Sequence, residues 1–398
     1  ILQACVHCGF CTATCPTYQL LGDERDGPRG RIYLIKQVLE GAPATARTQT
    51  HLDRCLTCRN CETTCPSGVE YGHLLDIGRK VVAQQVQRPW RERTLRQLLL
   101  LTLPRPALMK PLFALAYALR PALPRVLQQK LPPRDASTRA GIWPDRPHAR
   151  KMLILEGCVQ PGMAPNINAA TARVLDKLGV QLLRAPKAGC CGALRQHLSA
   201  EQAALQDMRN NIDAWWPYLQ GRDAVEAIVM TASGCGVMLK EYGYHLAHDA
   251  QYAAKAARVA ALTRDISEVL VGFAPQLQQM VRASSSFGAS AEIKLAYHPP
   301  CTLQHGQQLR GQVESLLRGL GVTLSLPCDS HTCCGSAGTY SVLQPELANS
   351  LRANKLANLQ ASGPDTIVTA NIGCIAHLQG GTATPVRHWI ELVARIIA

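Results

Sequence analysis

Residues 5–16, CVHCGFCTATCP, and residues 55–66, CLTCRNCETTCP, share one cysteine spacing, C-x-x-C-x-x-C-x-x-x-C-P. Two-residue spacers allow three thiolates to converge from one tight loop, and the proline that follows ends the loop without needing a backbone donor. The repeated spacing, called a ladder below, therefore predicts two metal centres near the start of the chain. The ladder cysteines are Cys5, Cys8, Cys11 and Cys15, and then Cys55, Cys58, Cys61 and Cys65.

This spacing is the ligand pattern of [4Fe-4S] clusters in bacterial ferredoxins, in which the fourth cysteine of each run binds the other cluster. It predicts one cluster on Cys5, Cys8, Cys11 and Cys65, and a second on Cys15, Cys55, Cys58 and Cys61. Structural zinc, the main alternative, prefers two separated C-x-x-C pairs. A disulfide framework fits poorly with a long chain that has 17 cysteines, an odd number. We therefore predict a protein that carries electrons one at a time.

Length and charge narrow the class of protein further. The chain has 398 residues, which is enough for two or three domains, and its clustered cysteines favour a reducing compartment. Its formal charge of +14 falls to about +10 with two clusters and to about +6 with four, since each cluster with four thiolates contributes 2−. Nucleic acid is a weak interpretation, because no zinc-finger, helix-turn-helix or aromatic RNA-binding signature occurs. No signal peptide is visible, but a targeting segment before Ile1 stays open.

Residues 1–88 are predicted to form a helical domain around the two ladders. Between them, apolar Ile32, Ile35 and Val38 recur at helical spacing after a glycine-rich turn, and a second helix is expected from about Leu74 to Val86.

Residues 89–150 differ in character, because proline recurs between short apolar stretches. We interpret them as a basic, proline-rich linker with short helices, since proline interrupts each candidate amphipathic helix. The alternative is a basic surface that contacts an anionic membrane or a membrane-bound partner. From residue 93 to residue 134 there are eight Lys or Arg residues and no Asp or Glu. The candidate docking residues are Arg93, Arg96, Arg105, Lys110, Arg120 and Arg125.

Residues 151–398 contain an internal cysteine repeat. A single cysteine and a Cys-Cys-Gly tripeptide recur at an offset of 143 residues (158 to 301 and 190 to 333), and a later cysteine recurs at 139 (235 to 374). We predict a first module over residues 151–285 and a second over residues 286–398. The module cysteines are Cys158, Cys190, Cys191 and Cys235 in the first, and Cys301, Cys333, Cys334 and Cys374 in the second.

Each module alternates apolar strand-like runs with helical ones, for example KMLILEGC at 151–158 and IKLAYHPPC at 293–301. This alternation predicts parallel sheets. Cysteines at the ends of the strands would meet in the crevice where such sheets bind ligands, and the glycine after each pair would permit an unusual backbone. Buried, inert thiols are the alternative. The predicted fold class is multidomain α + α/β, a helical domain for two [4Fe-4S] clusters followed by a tandem repeat of two α/β Cys-Cys-Gly modules.

The chain resembles a known family in several stretches, among them VHCGFCTATCPTYQLLGDE, CLTCRNCETTCPSGV, TASGCG, CCGSAGTY and TANIGC. They are similar to iron–sulfur subunits related to the cysteine-rich subunit of heterodisulfide reductase, and within that group to the iron–sulfur subunits of bacterial glycolate oxidases. The resemblance implies a complex with two flavoprotein subunits, which carry the flavin and oxidise glycolate to glyoxylate. It also implies electron delivery to a membrane acceptor such as a quinone, from a cytoplasmic position on the inner face of the cell membrane.

One departure from the fuller family pattern concerns the end of each module. Met238 and His377 stand where heterodisulfide reductase has a last cysteine, so each module has four cysteines rather than five. Four suffice for a cubane cluster, and we expect one or two further [4Fe-4S] clusters, more readily on the second module than on the first. Near the second set, His298, His331 and His377 are expected to donate hydrogen bonds or to supply a ligand.

No catalytic residue is predicted on this chain. A cluster accepts one electron, whereas oxidation of a 2-hydroxy acid removes two, and the sequence has no G-x-G-x-x-G nucleotide fingerprint. The alternatives left open are the same role in a lactate or glycerol-3-phosphate dehydrogenase complex, and a stand-alone disulfide reductase.

Overall fold

The structure is a computed structural model that describes residues 1–124, 128, 131, 139–283 and 293–398. Arg125 and the predicted module boundary between residues 285 and 286 lie outside the described residues. The described chain forms a helical domain, a pair of helices with a sharp bend between them, and two sheets of four parallel strands, so the predicted fold class is confirmed.

The first domain is helical, as predicted. Two helices form its centre, because Ile35 and Val38 of one pack against Leu74 and Leu75 of the other in a single apolar cluster. The first of these helices starts at Pro28, whose fixed φ suits a helix N-terminus. The helices are α1 (Phe10–Ala13), α2 (Pro16–Leu21), α3 (Pro28–Leu39), α4 (Ala46–Asp53), α5 (Asn60–Thr64) and α6 (Tyr71–Gln85), with 3-10 turns at Leu2–Ala4 and Glu24–Asp26.

The predicted linker forms two helices, α7 (Trp90–Thr102) and α8 (Pro106–Ala118), followed by a 3-10 turn at Arg120–Ala122. Helix α8 continues past Pro111, so the expectation that proline interrupts every helix here is wrong for α8. Among the described residues, no single helix has the length and apolarity to cross a membrane, whereas α7 and α8 together, bent by 106°, have both.

The prediction that Arg96 belongs to a basic docking surface is wrong. Arg96 is only 9 % exposed, and its guanidinium donates to Glu92 at 2.8 Å and to Asp53 at 3.1 Å. Arg88 donates to the same two carboxylates. Arg96 therefore holds α7 against the first domain and is not part of an outward-facing basic surface.

The first module contains one parallel sheet with strand order β2-β1-β3-β4. Its strands are β1 (Arg150–Ile154), β2 (Val180–Arg184), β3 (Ile228–Met230) and β4 (Thr263–Asp265). Its helices are α9 (Gln160–Met163), α10 (Asn166–Lys177), α11 (Ala193–His197), α12 (Glu201–Trp215), α13 (Ser233–Lys240), α14 (Tyr242–His245), α15 (Ala253–Leu262), α16 (Ile266–Val271) and α17 (Ala274–Ala283), with a 3-10 turn at Trp216–Tyr218.

The second module repeats this topology with strand order β6-β5-β7-β8. Its strands are β5 (Leu295–His298), β6 (Leu324–Ser325), β7 (Thr366–Thr369) and β8 (Val386–His388). A π-helix at Thr302–Gly306 follows β5. The α-helices are α18 (Gln312–Gly319), α19 (Tyr340–Leu343), α20 (Pro345–Gln360), α21 (Ile372–Gln379) and α22 (Trp389–Ile396).

The last cysteine of each module does not end a strand, contrary to our prediction. Strand β3 ends at Met230, and Cys235 lies in the first turn of α13. Strand β7 ends at Thr369, and Cys374 lies in the first turn of α21. The short turn between strand and helix still leaves both cysteines at the carboxyl edge of their sheets.

The two modules pack together as one body. A single apolar core includes Ile154 and Val229 from the first sheet together with Tyr297 and Val368 from the second. Polar contacts cross the same boundary, since the Nε2 of His388 donates to the Thr231 carbonyl at 2.8 Å. This packing turns the cysteine-bearing edges of both sheets toward a shared space.

Candidate metal centres

The structure groups the ladder cysteines across the two ladders. Cys5, Cys8, Cys11 and Cys65 line one cavity, which Cys61 also borders. His7 and Gly9 both take positive φ, and this tight backbone turns the three early thiols toward Cys65. Burial raises the pKa of Cys11 to about 11, and the neighbouring Cys5 and Cys65 thiols add to the effect.

The remaining four ladder cysteines, Cys15, Cys55, Cys58 and Cys61, line a second cavity. Cys15 comes from the first ladder, just as Cys65 comes from the second, so the predicted crossed grouping is present in the geometry. Burial raises the pKa of both Cys58 and Cys61 well above its usual value. Ligation of a cluster by each set stays a prediction.

A polar network that sequence reasoning missed supports the second set. Arg31 is 1 % exposed and donates to the Thr17 hydroxyl at 3.2 Å, which in turn lies 3.3 Å from the Cys15 Sγ. The Tyr71 hydroxyl donates to the Cys55 Sγ at 3.7 Å. The Tyr71 donor and the nearby charge of Arg31 both stabilise negative charge on metal-bound sulfur. A buried arginine within a helical period carries no sequence signal that would have revealed this role.

The first module brings its four cysteines together. The thiols of Cys158, Cys190, Cys191 and Cys235 form a chain of neighbours in that order. The hydrogen bond from Cys158 to Cys190, together with burial, raises the pKa of Cys158 well above its usual value. The pKa values of Cys190 and Cys191 are raised in the same way.

The second module has the same arrangement, with neighbouring thiols in the order Cys301, Cys333, Cys334 and Cys374. Gly335, after the cysteine pair, has φ +87, and a Cβ there would lie 2.5 Å from the Ala348 carbonyl oxygen. Gly192 has φ +93 at the equivalent place. The expectation that these glycines take an unusual backbone is confirmed.

The three histidines near the second set differ in position. His298, at the end of β5, is fully buried, and its ring lies within 4.8 Å of the sulfur atoms of both Cys334 and Cys374. Burial holds its pKa well below the usual range. The Nε2 of His377 instead donates to the Ala348 carbonyl at 3.0 Å, and the carbonyl of His331 accepts hydrogen bonds from Asn60 and His305.

A cavity of about 370 Å³, partly open to solvent, lies between the modules. It is bordered by seven of the eight module cysteines, with Cys190 excepted, and by Cys58 of the second ladder. Cys58, Cys301 and Cys333 belong to one apolar cluster with Leu56 and Tyr340. The second ladder set therefore contacts the second module directly, which no local sequence pattern indicated.

Polar contacts fix this docking of the first domain. The Arg59 guanidinium forms a double hydrogen bond with the Glu241 carboxylate, which also pairs with His73 at 3.2 Å. The His73 ring stacks on Tyr244 at 3.7 Å between ring centres. On the other module, the Thr63 hydroxyl lies 2.9 Å from the His305 Nδ1.

The donor chemistry fits iron–sulfur clusters. Each set offers four sulfur atoms within a largely apolar wall, the environment in which thiolates bind [4Fe-4S] cores. The seventeenth cysteine, Cys328, is exposed and belongs to none of the four sets. Fold and site together define an iron–sulfur electron-transfer protein.

Comparison with known proteins agrees with this class. Residues 1–69 match the model of the 4Fe-4S dicluster domain, and residues 152–240 and 295–379 match that of the cysteine-rich domain. The chain is 55 % identical, over its whole length and 94 % of the relative, to the glycolate oxidase iron-sulfur subunit of Escherichia coli K12. It belongs to the family of glycolate oxidase iron–sulfur subunits, and it carries multiple [4Fe-4S] clusters.

Two other relatives extend the comparison. The probable glycolate oxidase iron-sulfur subunit of Bacillus subtilis 168 is 29 % identical over 96 % of this chain and 89 % of its own. Lactate utilization protein A of Bacillus licheniformis is 25 % identical over 58 % of this chain and 91 % of its own. As a member of this family, the chain is an electron-transfer subunit of an oxidoreductase complex and has partner subunits.

Proposed function

We propose that this chain passes electrons singly from flavoprotein subunits that oxidise glycolate to glyoxylate toward a membrane acceptor, a quinone. The observation that supports the proposal is the spatial order of the thiol sets. A set at the surface is followed by a buried set, and the buried set is followed by the modules. When bound, a [4Fe-4S] cluster on each ladder set supplies one-electron storage.

The first set offers a docking position for the flavin partner. Cys8 is exposed, and the neighbouring Val6 and Phe10 are 68 % and 63 % exposed. Exposed apolar side chains beside a metal set favour contact with a protein partner, because contact removes them from water. Glycolate loses two electrons at once, so a flavin on the partner would take both and release them one by one.

The second set is shielded from water by protein. Cys15, Cys55 and Cys61 are buried, and Cys58, Leu56 and Tyr340 belong to one apolar cluster with Cys301. The second set therefore lies against the second module. Electrons would therefore leave this set toward the second module.

We propose that the exposed face of the α7–α8 pair binds the anionic inner surface of the cell membrane. Leu98, Leu112 and Leu115 are 56 %, 53 % and 58 % exposed. Exposed Arg93 and Lys110 lie on the same helices. Apolar side chains next to basic ones suit a lipid surface with negative headgroups. On the inner side of the α7–α8 pair, Leu103 and Phe113 border the cavity between the modules. A lipid-soluble acceptor in the membrane would therefore have a short path to this cavity.

The test is glycolate-driven reduction in the intact complex. Native complex would be purified, its flavin quantified, and low-temperature electron paramagnetic resonance (EPR) recorded before and after glycolate, D-lactate or glycerol 3-phosphate. We expect glycolate to reduce clusters on this chain and a quinone analogue to reoxidise them. Preferential reduction by D-lactate would favour the alternative that the relatives named lactate utilization protein A suggest. Turnover of disulfides by the chain without flavin would contradict the proposal.

A further inference from the structure

His298 of the second module is a donor side chain at a position that is apolar in the first module. His298 ends strand β5 and is 0 % exposed, and neither ring nitrogen has a hydrogen-bond partner among the residues that the structure describes. One of these nitrogens lies within 4.8 Å of the sulfur atoms of Cys334 and Cys374. A buried imidazole without partners is costly, so a partner that the protein atoms do not provide is expected at this position.

The equivalent position of the first module is apolar. His298 stands three residues before Cys301 in HPPC, and Leu155 stands three residues before Cys158 in LEGC. Leu155 is buried in the core of the first module. The first module thus offers four sulfur donors, whereas the second offers four sulfur donors and an imidazole.

The surroundings of His298 suit a metal centre with negative charge. Lys355 is 1 % exposed, its ammonium group donates to the Asp329 carbonyl at 2.9 Å, and its charge faces Cys301, Cys333 and Cys334. A buried cation beside thiols is stabilised once those thiols bind metal as thiolates. Asn371 also donates a hydrogen bond, to the Cys374 Sγ at 3.7 Å.

We propose that His298 is a ligand of the iron–sulfur cluster held by the second module, together with cysteines of that module. The inference rests on the proposed function in one respect, that the second module binds a cluster. A neutral imidazole in place of one cysteine thiolate makes a cluster less negative and easier to reduce, as two histidine ligands do in Rieske [2Fe–2S] centres. The two modules would then hold centres of different potential, with the second the better electron acceptor.

The test is pulsed EPR on the reduced intact complex, prepared with either natural-abundance or 15N-labelled histidine. We expect a nitrogen hyperfine coupling that changes with the label and belongs to the cluster signal that Cys334→Ser removes. His298→Ala should abolish this coupling. His298→Cys should retain iron but lose the coupling, and its cluster should have a lower reduction potential.

A matched control is His388→Asn, because His388 is equally buried but pairs with the Thr231 carbonyl. Asn at this position can still cap the helix that follows. This variant should keep the coupling. If Cys334→Ser removes a cluster signal, but that signal shows no histidine coupling in the unaltered chain, the assignment of His298 as a ligand is overturned while the cluster itself stands. Iron contents equal in the unaltered chain and Cys334→Ser would overturn its premise, that the second module holds a cluster.

Discussion

Cys15 and Cys65 are the residues on which the grouping of the ladder thiols depends. Each lies with the three thiols of the other ladder, so Cys15→Ser should remove the cluster on Cys55, Cys58 and Cys61. Cys65→Ser should remove the cluster on the first ladder in the same way. Iron analysis and EPR of each variant check this. The control is Cys328→Ser, which should change neither, and loss of the cluster from the variant's own ladder would contradict the grouping.

Glu241 is the residue that joins the first domain to the modules. The hydrogen bonds from His73 and Arg59 outweigh burial, which acts in the opposite direction, and lower the pKa of Glu241 to about 2. Because the folded pKa is below the unfolded one, this stabilisation is present above about pH 4.5 and is lost as the pH falls toward 2.

Glu241→Gln should therefore destabilise the docked protein at neutral pH. It leaves the Arg59 guanidinium, itself mostly buried, without its counter-charge, which costs about 3–5 kcal/mol. Thermal unfolding measures the effect. Glu226→Gln is the control, because Glu226 pairs with Arg150 on the exposed surface, where a pair contributes about 0–1 kcal/mol. Equal losses in the two variants would contradict a buried docking contact.

At the scale of single elements, much of the fold could be predicted from the sequence. The period of apolar residues located α3 and α6, and continuous apolar runs located the first three strands of each sheet. The fourth strands, β4 and β8, were missed, because both contain charged side chains and neither forms a continuous apolar run. The cysteines predicted at the ends of β3 and β7 lie five residues beyond those strands, in the first turns of α13 and α21.

The turn after the second cysteine pair is an element that tolerates little change. Gly335→Ala would bring a Cβ within 2.5 Å of the Ala348 backbone oxygen and should lower both stability and iron content. Gly363 also has a positive φ, +59, but a Cβ there meets nothing within 4 Å. Gly363→Ala should therefore cost only about 1 kcal/mol and leave iron unchanged. Loss of iron in both variants would mean that backbone strain, and not the close approach, decides the site.

The helix pair α7 and α8 is the element that we propose to bind the membrane. The double change Leu112→Glu and Leu115→Glu should reduce binding of the complex to anionic vesicles at least tenfold, because two apolar side chains can no longer enter the lipid. Vesicle sedimentation at fixed salt measures this. Leu326→Glu is the control, since Leu326 is a similarly exposed leucine on the second module, 42 % exposed. Unchanged sedimentation of the double variant would contradict the membrane proposal, and α7 and α8 would then serve only as a linker.

At the scale of the whole molecule, the sequence predicted which thiols form sets but not how the sets lie relative to one another. The spacing of each ladder fixes a loop, and the glycine after each pair fixes a turn, because both are local properties. The contact of Cys58 with Cys301 joins residues 243 positions apart, and the stacking of His73 on Tyr244 joins residues 171 positions apart. Such contacts follow from domain packing, which no local period encodes.

The central claim is that the modules hold clusters in the electron path and are not inert scaffolds. The most direct measurement is the iron content per chain of the intact complex, compared with that of Cys333→Ser. The account predicts about twelve irons or more in the unaltered chain, with about four lost in the variant. About eight irons in both would contradict it, because the ladder sets alone would then account for all the iron.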